Sequence, residues 1–190
     1  PGEYAHRPVK AEGYQFIHCL FVGFKKEAKG KGYASLMLDI CIEEAKTKGM
    51  KGVAVVTRNG SFMAKKDIFL KKGFHVVDQA KPDFELLVLK FNEKSENPEF
   101  NIVSTNNYGK GLSIFRSPQC PYSVKNVAAI FETANKQKMN PTLIEMDDAL
   151  SAQQSPCAFG TFCISYKGEI LSHHPISNTR FENILKTLKK

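Results

Sequence analysis

The stretch at residues 29–35, which reads Lys-Gly-Lys-Gly-Tyr-Ala-Ser, constrains the fold more than any other part of the chain. It lies between an apolar run at 16–22 and a run with helical periodicity at 36–49. A strand, a small-residue loop and a helix in this order present main-chain N–H groups at the positive end of a helix dipole. The pattern predicts a phosphate-binding turn built from Lys29, Gly30, Lys31, Gly32, Tyr33, Ala34 and Ser35.

Two common phosphate-binding loops are excluded by the same residues. Ser35 stands where a dinucleotide-binding Gly-x-Gly-x-x-Gly loop has its third glycine, and no Lys-Ser or Lys-Thr pair follows as in a P-loop. Glycine loops also precede helices in proteins that bind no phosphate, so a purely structural turn is the alternative interpretation.

The turn resembles the acetyl-CoA-binding motif of the GNAT family of N-acetyltransferases, Arg/Gln-Gly-x-Gly-x-Gly/Ala, with Lys29 in the first place. The chain continues in that family's order, with a β run at 54–56, a helix ending in a Lys-x-Gly-Phe turn at 68–74, and a closing strand at 84–89. The resemblance covers residues 14–92. It implies a mixed α/β fold and acetyl-CoA-dependent transfer of an acetyl group to an unidentified amine, carried by a small molecule or a peptide.

The resemblance also implies roles for individual residues. The turn would hold the diphosphate of CoA, and the strand near 54–57 would splay from the first strand so that the thioester enters the gap. Asn59 would contact CoA or merely form a turn, and His18 would be a general base or a structural strand residue. The pantetheine arm would lie along Leu20, Phe21 and Val22.

Two departures from the family pattern weaken the expectation of catalysis. Phe69 stands where many members have a Tyr that protonates the departing thiolate, and phenylalanine has no proton to give. Two strands and two helices that precede the matched stretch in a full GNAT domain are missing, so the chain is expected to be part of a longer or processed protein. A catalytically silent binding module is therefore an alternative function.

Composition limits the function classes. The formal net charge is +8, and part of it, at Lys25, Lys26, Lys29 and Lys31, surrounds the turn and suits the phosphates of CoA. No nucleic-acid recognition motif occurs, and no apolar run is long enough to cross a bilayer. Five widely spaced cysteines indicate a reducing compartment, so a cytoplasmic location without a secretory leader is expected.

A polar segment at 92–99 predicts a boundary between a domain at 1–93 and one at 100–190. The second half has the element order β-α-β-(irregular)-β-β-α, which resembles thioredoxin-like domains. Its closing part, including residues 155–162, resembles the YoaP-like domain found behind some GNAT domains. The predicted fold class is thus α/β (α+β), an N-terminally incomplete GNAT sheet followed by a thioredoxin-like domain.

Cys120 begins a Cys-Pro-Tyr-Ser loop that resembles the monothiol loop of glutaredoxins, and its predicted place at a helix N-terminus favours thiolate. Three interpretations remain open: an idle cysteine, thiol redox chemistry through Cys120 with Cys157 approaching as a partner, and metal capture by Cys120 and Cys157 together with His173 or His174. No metal is predicted. Gly160-Thr161 replaces the cis-proline of thioredoxins. Cys163 is expected to be buried, and so are Cys19 and Cys41.

Overall fold

The computed structural model describes residues 1–23, 26–28, 30–60, 62–121 and 123–188. The chain forms two compact units, one comprising Pro1–Ala5 and Val9–Phe100 and the other comprising His6–Pro8 and the chain from Asn101 onward. The first unit contains six strands and two helices in the described ranges: β1 (Val9–Lys10), β2 (Tyr14–Ile17), α1 (Tyr33–Thr47), β3 (Gly52–Arg58), α2 (Asp67–Leu70), β4 (His75–Ala80), β5 (Phe84–Lys90) and β6 (Glu99–Phe100).

The main sheet of the first unit has the strand order β2-β3-β5-β4. Strand β3 lies inside the sheet, parallel to β2 and antiparallel to β5, and its side chains are buried over most of its length. Strand β4, which the sequence analysis missed, pairs antiparallel with β5 at the edge. Strands β1 and β6 form a separate two-stranded ribbon. The sheet is mixed, as a GNAT-like fold requires.

Helix α1 starts three residues before the predicted run, in which the four-residue spacing of Leu36 with Ile40 and of Met37, Cys41 and Ala45 predicts the packed face. Ala45 is buried and Cys41 packs partly against the core, whereas Leu36, Met37 and Ile40 are exposed and Leu38 and Ile42 are buried instead. The prediction was wrong in part because this helix has apolar side chains around much of its circumference, so that periodicity alone does not select the packed face. The buried face joins a core formed with Val53, Val55, Phe69, Phe74 and Leu87.

The predicted first strand was too long. Strand β2 ends at Ile17, so Leu20, Phe21 and Val22 lie in irregular chain beyond it. Its parallel partner residues run only as far as Ile17 opposite Val55. Cys19 lies beyond the paired part and is exposed rather than buried as predicted.

The second unit contains four strands and three helices in the described ranges: β7 (Leu112–Arg116), α3 (Ser123–Lys136), β8 (Thr142–Glu145), α4 (Ala149–Gln153), β9 (Phe162–Tyr166), β10 (Glu169–Ser172) and α5 (Asn178–Leu188). Its sheet order is β10-β9-β7-β8, with β7 parallel to β8 and antiparallel to β9. The element order agrees with the sequence analysis, except that the stretch expected to be irregular contains α4. The thioredoxin-like assignment of this unit stays a prediction.

The second unit incorporates the segment His6–Pro8 from far along the chain. The buried Arg7 guanidinium donates hydrogen bonds to the carbonyls of Phe159 and Ala158, and it lies 5.5 Å from the centre of the Phe159 ring. Asn101 N–H donates to the Pro8 carbonyl at 2.8 Å. Hydrogen bonds to a guanidinium contribute about 1.5–3 kcal/mol each, so these contacts fix the segment firmly.

None of the helices in the described ranges is both long and apolar enough to cross a membrane.

Candidate functional site

The glycine turn has the backbone conformation that an anion cradle requires. Gly30 and Gly32 have φ of 72° and 77°, a region that L side chains rarely adopt, and Gly32 is the N-cap of α1. A Cβ built at either glycine meets no atom of the described residues within 4 Å, so these residues leave the space beside the turn open. Lys29, predicted to bind the cofactor, lies outside the described residues.

The N-terminus of α1 presents several main-chain donors at this turn. Tyr33, Ala34 and Ser35 form the first helical turn, and Leu36 N–H makes the first bond within the helix, 3.0 Å to the Gly32 carbonyl. The amides before Leu36 thus have no acceptor within the helix. Among the described residues no side chain caps this end. Such an end is a ready anion site, and the exposed Lys31 adds positive charge.

A narrow cleft lies where β2 and β3 part. Their pairing ends at Ile17 opposite Val55, whereas β3 continues to Arg58 paired only with β5. The cleft is lined by His18, Cys19, Leu20, Val55, Val56, Phe62, Met63, Ala64 and Phe69. The resemblance to GNAT proteins implies a gap between these two strands. The cleft found there has a volume of about 10 Å³, so a gap wide enough for a thioester stays a prediction. Of the three predicted pantetheine contacts, the structure places Leu20 in this cleft, while Phe21 is exposed and Val22 half-buried.

His18 and Cys19 bring ionisable groups to this cleft. The His18 ring contacts the Phe16 ring edge-on, with 5.2 Å between centroids. An imidazole can accept a proton near neutral pH. His18 therefore stays a candidate for both predicted roles, a general base and a structural strand residue. Phe69 packs edge-on against Phe74 with 5.5 Å between centroids and is fully buried. The Phe69 ring therefore packs in the hydrophobic core and also lines the cleft.

A wider pocket of about 640 Å³ follows at the end of β3, a volume typical of small-ligand sites. It is lined by Asn59 and by charged residues of both signs from β3, α2 and the β4–β5 hairpin: Arg58, Lys65, Lys66, Asp67, Lys81, Asp83 and Glu85. Lys66 pairs with Glu85 at 2.8 Å and Arg58 pairs with Asp83 at 2.9 Å. Among the described residues, buried Thr57 Oγ1 and Arg58 Nη1 have no hydrogen-bond partner from the protein, so both atoms are available to a ligand.

This pocket was missed in the sequence analysis, except for Asn59. The clustering of opposite charges at 65–67 and 81–85 was the available signal. It was weak because charge runs usually mark solvated surface, and only the hairpin brings the two clusters together.

Cys120 in the second unit lies in the turn just before α3 and is half-buried. The N–H and hydroxyl of Ser123 both donate to the Cys120 carbonyl, at 3.2 and 2.8 Å. The predicted position near a helix start is confirmed, while a role in thiol chemistry stays a prediction. Tyr122 of the same loop lies outside the described residues.

Cys157 lies with Cys163 and His173. The sequence analysis considered Cys157 with His173 only as metal ligands and did not place Cys163 with them. The Cys157 sulfur is 3.1 Å from His173 Nδ1, and it also contacts the Cys163 thiol. Burial raises the pKa of Cys157, but hydrogen bonds from Cys163 and His173 outweigh burial and lower that pKa to about 6. Burial and the neighbouring Cys157 raise the pKa of Cys163. Both thiols are buried, as predicted for Cys163.

Within the described ranges, no group of three or more His, Cys, Asp or Glu residues is arranged to hold a metal ion.

Comparison with known proteins gives one relative over nearly the whole chain. A Bacillus subtilis (strain 168) protein named "Uncharacterized N-acetyltransferase YoaP" is 30% identical over 192 residues, covering 99% of this chain and 76% of the relative. A family model described as YoaP-like matches residues 142–183. No solved structure matches the chain at a significant level.

Proposed function

The chain belongs to the YoaP family of N-acetyltransferases, and from this premise we propose that it transfers an acetyl group from acetyl-CoA to an amine. One observation carries the proposal: the first unit has a glycine turn at the start of α1, together with a stretch of β3 that continues past the end of its parallel partner β2. The turn suits a diphosphate, and the edge of β3 beyond Val55 suits an extended arm. Acetyl-CoA has both parts and supplies an activated acetyl thioester.

The residues present fit the diphosphate of CoA. Positive φ at Gly30 and Gly32 leaves no Cβ between the ligand and the main chain, and the space that a Cβ would fill is open. The amides of Tyr33, Ala34 and Ser35 are oriented as donors at the helix N-terminus. Lys31 contributes charge, and Lys29 would do so from the neighbouring position.

The amine would enter through the charged pocket at the end of β3. Thr57 and Arg58 line this pocket, and the two preceding residues of β3, Val55 and Val56, line the cleft. The carboxylate of Asp67, which lines the pocket outside the Lys66–Glu85 pair, would contact a protonated amine, and the volume suits a small molecule or the end of a peptide. We assign proton removal from the amine to His18, whose ring lies along the cleft.

A substitution at Gly32 tests the cofactor part directly. In Gly32→Leu, a branched side chain would fill the open space beside the turn and distort its backbone, so loss of about 2 kcal/mol of binding free energy is expected. Isothermal titration with acetyl-CoA should then show affinity weakened at least about 30-fold. Acetyl-pantetheine, which lacks the diphosphate, should bind equally weakly to both proteins.

Gly49→Leu is the matched control. Gly49 has φ of 65°, faces open space, and follows the opposite end of α1. Both variants should lose similar stability, because both place a side chain in a left-handed conformation. Only the Gly32 variant should lose acetyl-CoA. Equal affinity in the two variants, or no binding by the wild-type chain at millimolar acetyl-CoA, would contradict the proposal.

A second candidate function is favoured by Phe69. Without a hydroxyl at this position, the chain could bind acetyl-CoA and recognise an amine without turnover. The Phe69→Tyr variant separates the two functions, because the ring lines the cleft and would there present a proton donor to a departing thiolate. We expect it to raise CoA release with an amine panel by at least about tenfold, since a positioned acid contributes about 10²–10⁴-fold. Binding by both proteins with no release by either would identify the silent module.

A further inference from the structure

The buried thiol pair of the second unit lies outside the acetyl-transfer site and has a chemistry of its own. We propose that Cys157 is a thiol that reacts with hydroperoxides, and that Cys163 converts the product to an intramolecular disulfide. The reactive sulfur is held between two partners, the His173 ring at 3.1 Å and the Cys163 thiol, and its distance to the His173 carbonyl is 3.3 Å.

Positions along the chain explain why these groups meet. Cys163 lies in β9, and His173 directly follows β10, the strand paired with β9. Cys157 lies in the loop that precedes β9, where the Cys157 carbonyl accepts a 2.9 Å hydrogen bond from Gly160 N–H. The Ser155 hydroxyl lies 3.3 Å from Cys157 N–H as acceptor and 3.2 Å from the Cys157 carbonyl as donor. Hydrogen bonds thus hold Cys157 both at its main chain and at its sulfur.

His173 provides what a buried thiol needs in order to react. A thiol in apolar surroundings stays protonated, whereas an adjacent imidazole can take its proton and stabilise the thiolate. His173 contacts the buried sulfur and is itself only half-buried. The proposed reaction requires hydrogen peroxide to approach from the side of this residue. The phenol of Tyr108 is another ionisable group near this pair, and burial together with the nearby Cys163 raises its pKa.

The reaction balances with one peroxide and no other reagent. The Cys157 thiolate attacks a peroxide oxygen, the O–O bond breaks, and the departing hydroxide takes the proton held by His173 to form water. The Cys163 sulfur then displaces the second hydroxide from the Cys157 sulfenic acid, and the proton of Cys163 completes a second water. Two thiols and one peroxide give one disulfide and two water molecules.

The test uses the full chain carrying Cys19→Ser, Cys41→Ala and Cys120→Ser, which leaves Cys157 and Cys163 as its thiols. After one equivalent of hydrogen peroxide, we expect loss of two thiols, a mass decrease of about 2 Da from the two hydrogens removed in the balanced reaction, and a cross-linked 157–163 peptide in the digest. If the triple variant unfolds more readily than wild type, the same peptide is sought directly in the oxidised wild-type chain. A digest without that cross-link from protein with native circular dichroism would overturn the proposal.

Further substitutions in that background assign the roles. Cys163→Ser should leave a sulfenic acid on Cys157 that dimedone traps, and Cys157→Ser should leave Cys163 reduced. His173→Gln should slow oxidation at least about tenfold. His174→Gln is the matched control, because the Nδ1 of His174 lies 2.9 Å from the Pro175 carbonyl, and no slowing is expected. Equal rates in the two histidine variants, or oxidation of Cys163 in Cys157→Ser at the original rate, would overturn the assigned roles.

Discussion

Replacing Gly160 with alanine is expected to remove about 2–5 kcal/mol from the free energy of unfolding of the second unit. Two effects add. Gly160 has φ of 79°, and a left-handed conformation costs an L residue about 1–2 kcal/mol. A Cβ there would also lie 2.5 Å from the His6 carbonyl oxygen and 2.8 Å from Arg7 Cα, and forced overpacking costs about 1–3 kcal/mol. Main-chain atoms cannot turn aside as a flexible side chain does.

Gly109→Ala separates the two effects. Gly109 belongs to the same unit and has φ of 81°, but a Cβ there meets no atom within 4 Å. This control should lose only the conformational part, about 1–2 kcal/mol. Calorimetric unfolding of both variants provides the measurement. Equal losses would show that residues 6–8 do not press on Gly160 in solution.

Phe69→Ala is expected to lower the stability of the first unit by about 3–5 kcal/mol. The Phe69 side chain is fully buried, stacks edge-on with Phe74, and packs with the inner face of α1 and with β3 and β5. Its removal would leave a cavity beside the cleft. Because Phe69 lines that cleft, acetyl-CoA affinity should fall together with stability.

The neighbouring Leu70 supplies the comparison. It lies in the same helix, α2, and is 42% exposed. Leu70→Ala should change the free energy of unfolding by less than about 1 kcal/mol, as is usual for surface positions. Urea unfolding followed by circular dichroism would measure both variants. A similar loss at the two positions would mean that Phe69 does not pack in the core as the structure places it.

Secondary structure was predicted best from the sequence where the local residue pattern is compatible with only one type of element. Strand β3 is an uninterrupted apolar run and was found, because strands buried on both faces have this composition. Strand β4 was missed since His75, Asp78 and Gln79 interrupt the pattern, and it is held as a strand by pairing with β5. The packed face of α1 depends on what covers it, which local periodicity does not contain.

Parts of the candidate site could also be predicted from the sequence, and other parts could not. The glycine turn could be predicted because positive φ is a local property that favours glycine. The position of the strand gap followed from the family's order of elements, and its precise start after Ile17 needed the register of β2 against β3. The charged pocket and the meeting of Cys157 with His173 depend on strands and loops far apart in sequence, which single-sequence patterns do not connect.

Arg7 and its two neighbours change how this polypeptide can be dissected. The backbone crosses between the units three times, after Ala5, after Pro8 and after Phe100. A single chain break at 92–99 would therefore not yield the complete second unit. The fragment that follows the break would lack Arg7, the cationic donor to the Phe159 carbonyl. A fusion of this unit to another protein module would have to include residues 6–8, either within the same chain or as a separate peptide.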